Sequence, residues 1–365
     1  MEKTKKVQNK QQPLLQLKEY NLHIDLKRVL KNILNKDDIY IIPVFIPHFG
    51  CKNDCVFCNQ RKITGVSTNV TSSVVDGVIL EHLDYIKEKN NKKIEIAFFG
   101  GSFTGIPIEK QIEFLEVANK YIKKGLADSI RISTRPDYIS PSILKMLKKY
   151  NVEVIELGVQ SMDDEVLSAS KRGHLKKDVL RAAKLIKLFN ITLGIQIMVG
   201  LPKSTEKKEI SCIKEVLKLN SKYLRIYPVY VLKDSKLYDM YKSGEYIPLT
   251  VEKASNRVAQ MLNFCRDTDV KVIRIGLQST NEITKNSKEI IGPVSDNFAE
   301  YAMSRIVLDE IEKFINNDKN LSSTNLKKLN IYVKKEYMSV IVGPKKINKE
   351  YLKNKYSTII KVKGE

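Results

Sequence analysis

From residue 39 onward the chain alternates between short β-branched, apolar runs and longer segments with helical apolar spacing. The apolar runs are IYIIPVFI (39–46), KIEIAFF (93–99), SIRIST (129–134), VEVIELGV (152–159), ITLGIQIMV (191–199), YLRIYPV (223–229) and KVIRIG (271–276). The intervening helices are expected at 74–89, 109–123, 140–149, 163–170, 176–189, 206–219, 234–243 and 250–268. Runs that are apolar on both faces belong to a parallel sheet covered by helices, and their alternation with helices is the pattern of βα units. The expected fold is therefore α/β, a partial, open (β/α)6 TIM-like barrel over residues 39–280. Barrels of this kind place their chemistry in the loops at the C-terminal ends of the strands.

The flanks differ from this pattern. Residues 1–38 are polar and lysine-rich, and the stretch Leu14–Leu34, with Leu22, Leu26, Val29, Leu30 and Ile33, has the spacing of one helix, an N-terminal helical extension. Residues 281–365 hold one helix (Phe298–Phe314), a polar loop (317–328) and a small α/β appendage. Its order is strand, turn, strand, helix, strand: LNIYVKK, EYMSVIVG, KEYLKNKY, TIIKVK. No stretch approaches the roughly 18 to 20 uncharged apolar residues of a membrane span. No apolar segment follows the charged start MEKTKKVQNKQQ, so a cytoplasmic protein with no signal peptide and no membrane partner is expected.

The net charge of +21 has two readings. A basic surface attracts phosphates and points to a nucleic-acid partner. Alternatively the excess is compositional, because only eleven of the 63 basic residues are arginine, the commoner carrier of bidentate phosphate and base contacts.

Three of the five cysteines fall within the segment His48-Phe49-Gly50-Cys51-Lys52-Asn53-Asp54-Cys55-Val56-Phe57-Cys58, directly after the first barrel strand. An odd total without an export signal argues for metal or redox chemistry over a disulfide scaffold. Three thiolates in one tight loop can each bind one iron of a cubane, leaving the fourth iron open to a small molecule. The competing reading is zinc, which wants four closed ligands; only His48 stands near as a fourth. Cys212 and Cys265 lie alone in helical patterns.

The CxxxCxxC spacing after strand one resembles the signature of the radical S-adenosylmethionine superfamily, and the resemblance runs over about residues 40–280. It implies a [4Fe-4S] cluster on Cys51, Cys55 and Cys58, with S-adenosyl-L-methionine on the open iron. It also implies that Phe57 packs beside the adenine, and that Gly100, Gly101 and Ser102 in FFGGSFTG bind the amino group of the methionine moiety. Ser102 replaces the family's frequent glutamate there. Arg135 in STRPD pairs either with a carboxylate of the cofactor or with Asp137. Glu156 and Gln160 in ELGVQS orient the cofactor; for Glu156 a buried ion pair is the alternative. GIQIMVGLP (194–202) matches the family's segment beside adenine, with Met198 read as core.

Taken in order, IRISTRPDYI, ELGVQSMDDEVL, KRGH, MVGLP, LRIYPVYVLKDSKLYDMYKSGEY and IRIGLQST resemble the radical half of the Elongator catalytic subunit, which modifies the wobble uridine of tRNA. Its first two cysteines are more widely spaced than here, and about 85 residues follow IRIGLQST, too few for its acetyltransferase domain. The resemblance thus implies an Elongator-like radical enzyme with its own substrate, an electron donor such as ferredoxin or flavodoxin, and tRNA or other RNA as partner. Two alternatives remain: small-molecule chemistry like that of oxygen-independent coproporphyrinogen oxidase, and a non-enzymatic, zinc-stabilised RNA-binding protein. The tyrosines and lysines of 227–246 interleave as in a nucleotide-stacking surface or an amphipathic helix.

Overall fold

A computed structural model describes residues 18–33, 39–46, 55–58, 70–86, 92–277, 290–317 and 326–365. The chain divides into two compact units, one of residues 30–303, the other of residues 1–29 with 304–365.

The larger unit is built on seven parallel strands in sequential order. They are β1 (Ile39–Ile46), β2 (Lys93–Gly100), β3 (Ser129–Thr134), β4 (Val152–Gln160), β5 (Thr192–Val199), β6 (Tyr223–Pro228) and β7 (Lys271–Ile275). Each crossover leads to the neighbouring strand, so the twisted sheet curls into an open barrel. Strand interiors such as Ile96, Ala97 and Phe98 in β2 or Ile155, Leu157 and Val159 in β4 are fully buried. Pro43 is tolerated inside β1 because β1 is an edge strand, where a missing N–H breaks no inner ladder. Eight helices of the barrel, from Ser72–Ile86 to Val251–Cys265, fall within a few residues of their expected bounds.

All seven strands run the same way, so Ile46, Gly100, Thr134, Gln160, Val199, Pro228 and Ile275 finish at one end of the sheet. Two hydrogen bonds tie neighbouring ends: Gly101 N–H donates to Ile46 O at 3.2 Å, and the Thr104 and Thr134 hydroxyls share one at 2.6 Å. At the end of β4 the register shifts between Gly158 and Gln160, and Gln160 sits at φ +66. Such irregularities re-aim side chains at a strand's end.

The smaller unit has a parallel three-stranded sheet, Lys18–His23, Leu326–Val333 and Ile359–Gly364, with Leu326–Val333 central. Two expectations are corrected here. The N-terminal helix spans only Leu26–Val29; Lys18–His23 is a strand, since its partner strand outweighs local helical spacing. EYMSVIVG is a turn and a helix, Met338–Val342, closed by Gly343 N–H donating to Ser339 O at 2.8 Å, with Val340 and Ile341 buried. No helix among the described residues is long and apolar enough to cross a membrane.

Candidate active site at the C-terminal end of the sheet

Cys55 and Cys58 lie on one turn, closed by Cys58 N–H donating to Cys55 O at 3.0 Å. The turn is held from two sides. Val56 N–H donates to Ser170 O at 3.2 Å, and Leu237 N–H donates to Val56 O at 2.7 Å. Val56 is buried with Val166, Leu201, Val229 and Leu237, and the half-buried Phe57, Met198, Tyr238 and Tyr241 pack on the same cluster. Those tyrosines therefore spend their rings on packing behind the cysteine turn, not on an open stacking surface. Cys51 and His48 lie outside the described residues.

The sulfur of Cys55 is buried and meets a cation. Arg172 donates from Nη1 to Cys55 Sγ at 3.1 Å and from Nη2 to Gly158 O at 2.6 Å. Its guanidinium stands 6.0 Å from the Phe57 ring. Arg172 belongs to the KRGH segment, to which sequence reasoning assigned no role; its partner is 117 residues away. Arg135 supports this placement. It pairs with Asp137 at 3.0 and 3.1 Å, the ion-pair alternative of the sequence, and also donates to Arg172 O. His174 is buried beside them. Burial, with the Arg172 and Arg135 cations, pushes its imidazole down to about 4, so the ring is neutral. Its Nε2–H then donates to Val159 O at 3.3 Å. By contrast Cys212 and Cys265 are buried in helices, and burial pushes both thiols up to about 12, which makes them inert.

Gly100 ends β2 at φ +98, a backbone that favours glycine. Gly101 is bonded to Ile46, the last described residue of β1, so the glycine pair lies at the C-terminal end of the sheet beside the end of β1. Ser102 follows, buried. Gln160 is also buried, and among the described residues its Oε1 has no hydrogen-bond partner. Gly200, in the MVGLP segment, is fixed by Glu209 accepting from its N–H at 2.8 Å and by Tyr246 donating to its carbonyl at 2.6 Å.

Glu156 is engaged differently. It is 3% exposed and lies between two arginines: Arg131 at 2.8 Å, Arg225 at 2.6 and 3.1 Å. Arg131 in turn holds Glu95 at 2.6 Å and lies over the Tyr223 ring at 4.6 Å. The buried ion pair weighed for Glu156 is thus a four-residue network inside the barrel. Although burial acts to lower it, the Glu156 and Glu95 charges raise the pKa of Arg131, and Glu156 raises that of Arg225 in the same way. Gly194 makes the room: a Cβ there would stand 2.9 Å from Glu156 Cγ.

An open parallel barrel with thiols on a turn after its first strand, and a glycine pair and polar side chains at strand ends, has the layout of barrels whose chemistry sits at the C-terminal ends of the strands. Comparison with known proteins makes this specific. Residues 45–216 match the radical SAM superfamily model, and 221–308 match the radical SAM C-terminal domain model. The tRNA uridine(34) acetyltransferase of Methanocaldococcus infernus is 31% identical over 196 residues, 48% of this chain and 36% of that protein. An uncharacterized protein of Methanocaldococcus jannaschii is 31% identical over 237 residues, 62% of this chain and 72% of the relative. The solved archaeal M. infernus Elp3, with an N-terminal deletion, superposes with a TM-score of 0.54 at 23% identity, over 68% of this chain and 61% of that one. The chain belongs to the radical SAM superfamily. It is an enzyme whose cofactors are a [4Fe-4S] cluster and S-adenosyl-L-methionine, and it spans about a third of the length of the tRNA uridine(34) acetyltransferase it resembles.

Proposed function

We propose that Cys51, Cys55 and Cys58 hold the cluster, that Gly100, Gly101, Ser102, Phe57 and Gln160 receive S-adenosylmethionine, and that the substrate is tRNA. The observation that supports the site is the tie from Cys55 through Arg172 to Gly158 at the end of β4, two residues before the buried Gln160, with the Gly100–Gly101 pair at the same end of the sheet. The donor set suits both groups. Cys55 and Cys58 share a turn, a guanidinium faces one sulfur, a glycine at positive φ ends β2, and a buried amide oxygen has no hydrogen-bond partner among the described residues. Bound there, the pair supplies a 5′-deoxyadenosyl radical by one-electron cleavage of S-adenosylmethionine, the electron coming from a donor of the ferredoxin or flavodoxin class.

The protein's own residues do the remaining work. Arg172 fixes the Cys55 sulfur and supplies a charge-assisted hydrogen bond to a thiolate. Arg135 and Asp137 position the Arg172 segment. Gln160 Oε1 accepts from a donor on the cofactor, and Phe57 packs against it. Glu156 acts by holding Arg131 and Arg225, which keeps β3, β4 and β6 in register below the site. The buried cluster around Val56 and Leu201 excludes water behind the turn.

The tRNA reading rests on the tRNA uridine(34) acetyltransferase relative and on the basic charge; a cytoplasmic location follows from such a substrate. The test is nucleoside mass spectrometry of total tRNA after anaerobic incubation with the reduced enzyme and S-adenosylmethionine. A new nucleoside mass, with 5′-deoxyadenosine release accelerated by tRNA, is expected. Unaltered nucleosides and a release rate indifferent to tRNA would overturn the substrate assignment.

A further inference from the structure

None of the residues assigned to the site above belongs to the smaller unit, whose C-terminal stretch concentrates positive charge. Residues 326–365 contain eleven lysines against three glutamates, with no arginine, aspartate or histidine, a net of +8. The other 325 residues share the remaining +13. The density is 0.20 per residue against 0.04, five times higher, so a lysine-rich composition spread evenly along the chain does not account for it.

The sheet of this unit orders part of that charge. Leu329, Ile331 and Val333 are buried on one face. Alternation and register place three rungs on the opposite face: Glu19–Lys328–Ile359, Asn21–Asn330–Lys361 and His23–Tyr332–Lys363. The third rung pairs aromatics with a cation. The His23 and Tyr332 rings stack at 4.7 Å with an interplanar angle of 10°, and Lys363 Nζ lies 4.8 Å from the Tyr332 ring and donates to its hydroxyl at 2.9 Å. Glu19 is taken up by Lys328 at 2.7 Å and Glu365 faces His23 at 3.1 Å, while Lys361 and Lys363 are exposed. The centre of this face at Asn330 is buried, but its exposed margin carries the stacked His23–Tyr332 pair, the Asn21 amide and the lysines of the edge strand, which matches what unpaired nucleotides require: a π surface for the bases and cations for the phosphates.

We infer that this sheet face is an RNA-binding platform, which engages an unpaired segment of the tRNA substrate through stacking on Tyr332 and His23 and phosphate contacts to Lys361 and Lys363. This rests on the tRNA reading above and assigns a job to the smaller unit. It is tested on the full chain by fluorescence anisotropy with labelled total tRNA across salt concentrations. Lys361→Ala/Lys363→Ala is compared with a control pair on a barrel helix, Lys207→Ala/Lys218→Ala. Two lost phosphate contacts reduce the slope of log K against log salt by about 1.4. Tyr332→Leu, which keeps an apolar side chain, weakens binding about tenfold. Unfolding midpoints of these variants, measured alongside, stay within a degree or two of the parent for the lysine pair, whose side chains are exposed.

The outcomes separate. If the parent protein binds no tRNA, the substrate reading falls and the platform with it. If the parent binds, and the Lys361/Lys363 pair matches it in affinity and slope while the barrel control weakens, the platform alone is wrong. Loss of binding to vesicles of phosphatidylglycerol in the Lys361/Lys363 pair, with tRNA affinity intact, would reassign the face to a membrane surface and overturn the inference.

Discussion

Arg131 gives the sharpest test of how the barrel is held. It is 1% exposed, donates from Nε and Nη2 to Glu95 at 2.8 and 2.6 Å, and from Nη1 to Glu156 at 2.8 Å. Arg131→Met keeps the bulk and removes the charge. Glu156 retains Arg225, but Glu95 (1% exposed) is left, among the described residues, with only the Lys93 ion pair at 3.9 Å. Breaking a buried pair by removing one partner costs about 3 to 5 kcal/mol, because the stranded charge has no water to return to. Urea unfolding of the anaerobic apoprotein, read from the midpoint at constant slope, measures it. Adding Glu95→Gln removes the stranded charge, so Arg131→Met/Glu95→Gln should recover at least about 1 kcal/mol, a coupling that independent sites would not show. An Arg131→Met protein within about 1 kcal/mol of the parent, or a double variant that simply adds the two losses, would refute the argument that the network is a closed set of mutually compensated charges.

Three further outcomes follow from the same geometry. Gly194→Ala puts a methyl 2.9 Å from Glu156 Cγ and should cost about 1 to 3 kcal/mol by overpacking, read in the same urea series. His174, depressed from 6.5 to about 4 by burial and by Arg172 and Arg135, is neutral when folded, so its contribution is intact above pH 6.5 and is lost as pH falls toward 4. Over that window it amounts to about 3 kcal/mol, and His174→Gln should flatten the pH dependence of stability between pH 6.5 and 4. Arg172→Leu removes the cationic donor at 3.1 Å from Cys55 Sγ, so the reconstituted protein should show a more negative cluster midpoint in an EPR redox titration. Arg172→Lys should restore part of that shift.

The barrel was legible because its strands are buried on both faces and read as unbroken apolar runs. The cysteine turn and the glycine pair were legible because their spacing is local. What sequence could not show is long-range pairing of ordinary residues. Arg172 looks like any surface cation until the fold places it on Cys55, 117 residues earlier. Lys18–His23 reads as part of a helix until Leu326–Val333 comes alongside, and nothing local announces a partner 300 residues away. Glu156 has the position of a cofactor contact in sequence, but Arg131 and Arg225 on other strands of the barrel hold it in the barrel interior.

Everything proposed for the site depends on three cysteines of one loop holding a cluster. Anaerobic purification, followed by iron, sulfide and zinc analysis of the parent and of single cysteine-to-alanine variants, tests it directly. About four irons and four sulfides per chain, bleaching by dithionite, and 5′-deoxyadenosine on addition of S-adenosylmethionine are expected. Cys51→Ala, Cys55→Ala and Cys58→Ala should each lose the cluster, and Cys212→Ala and Cys265→Ala should keep it. Zinc without sulfide in the parent, or a full cluster in Cys55→Ala, would contradict it.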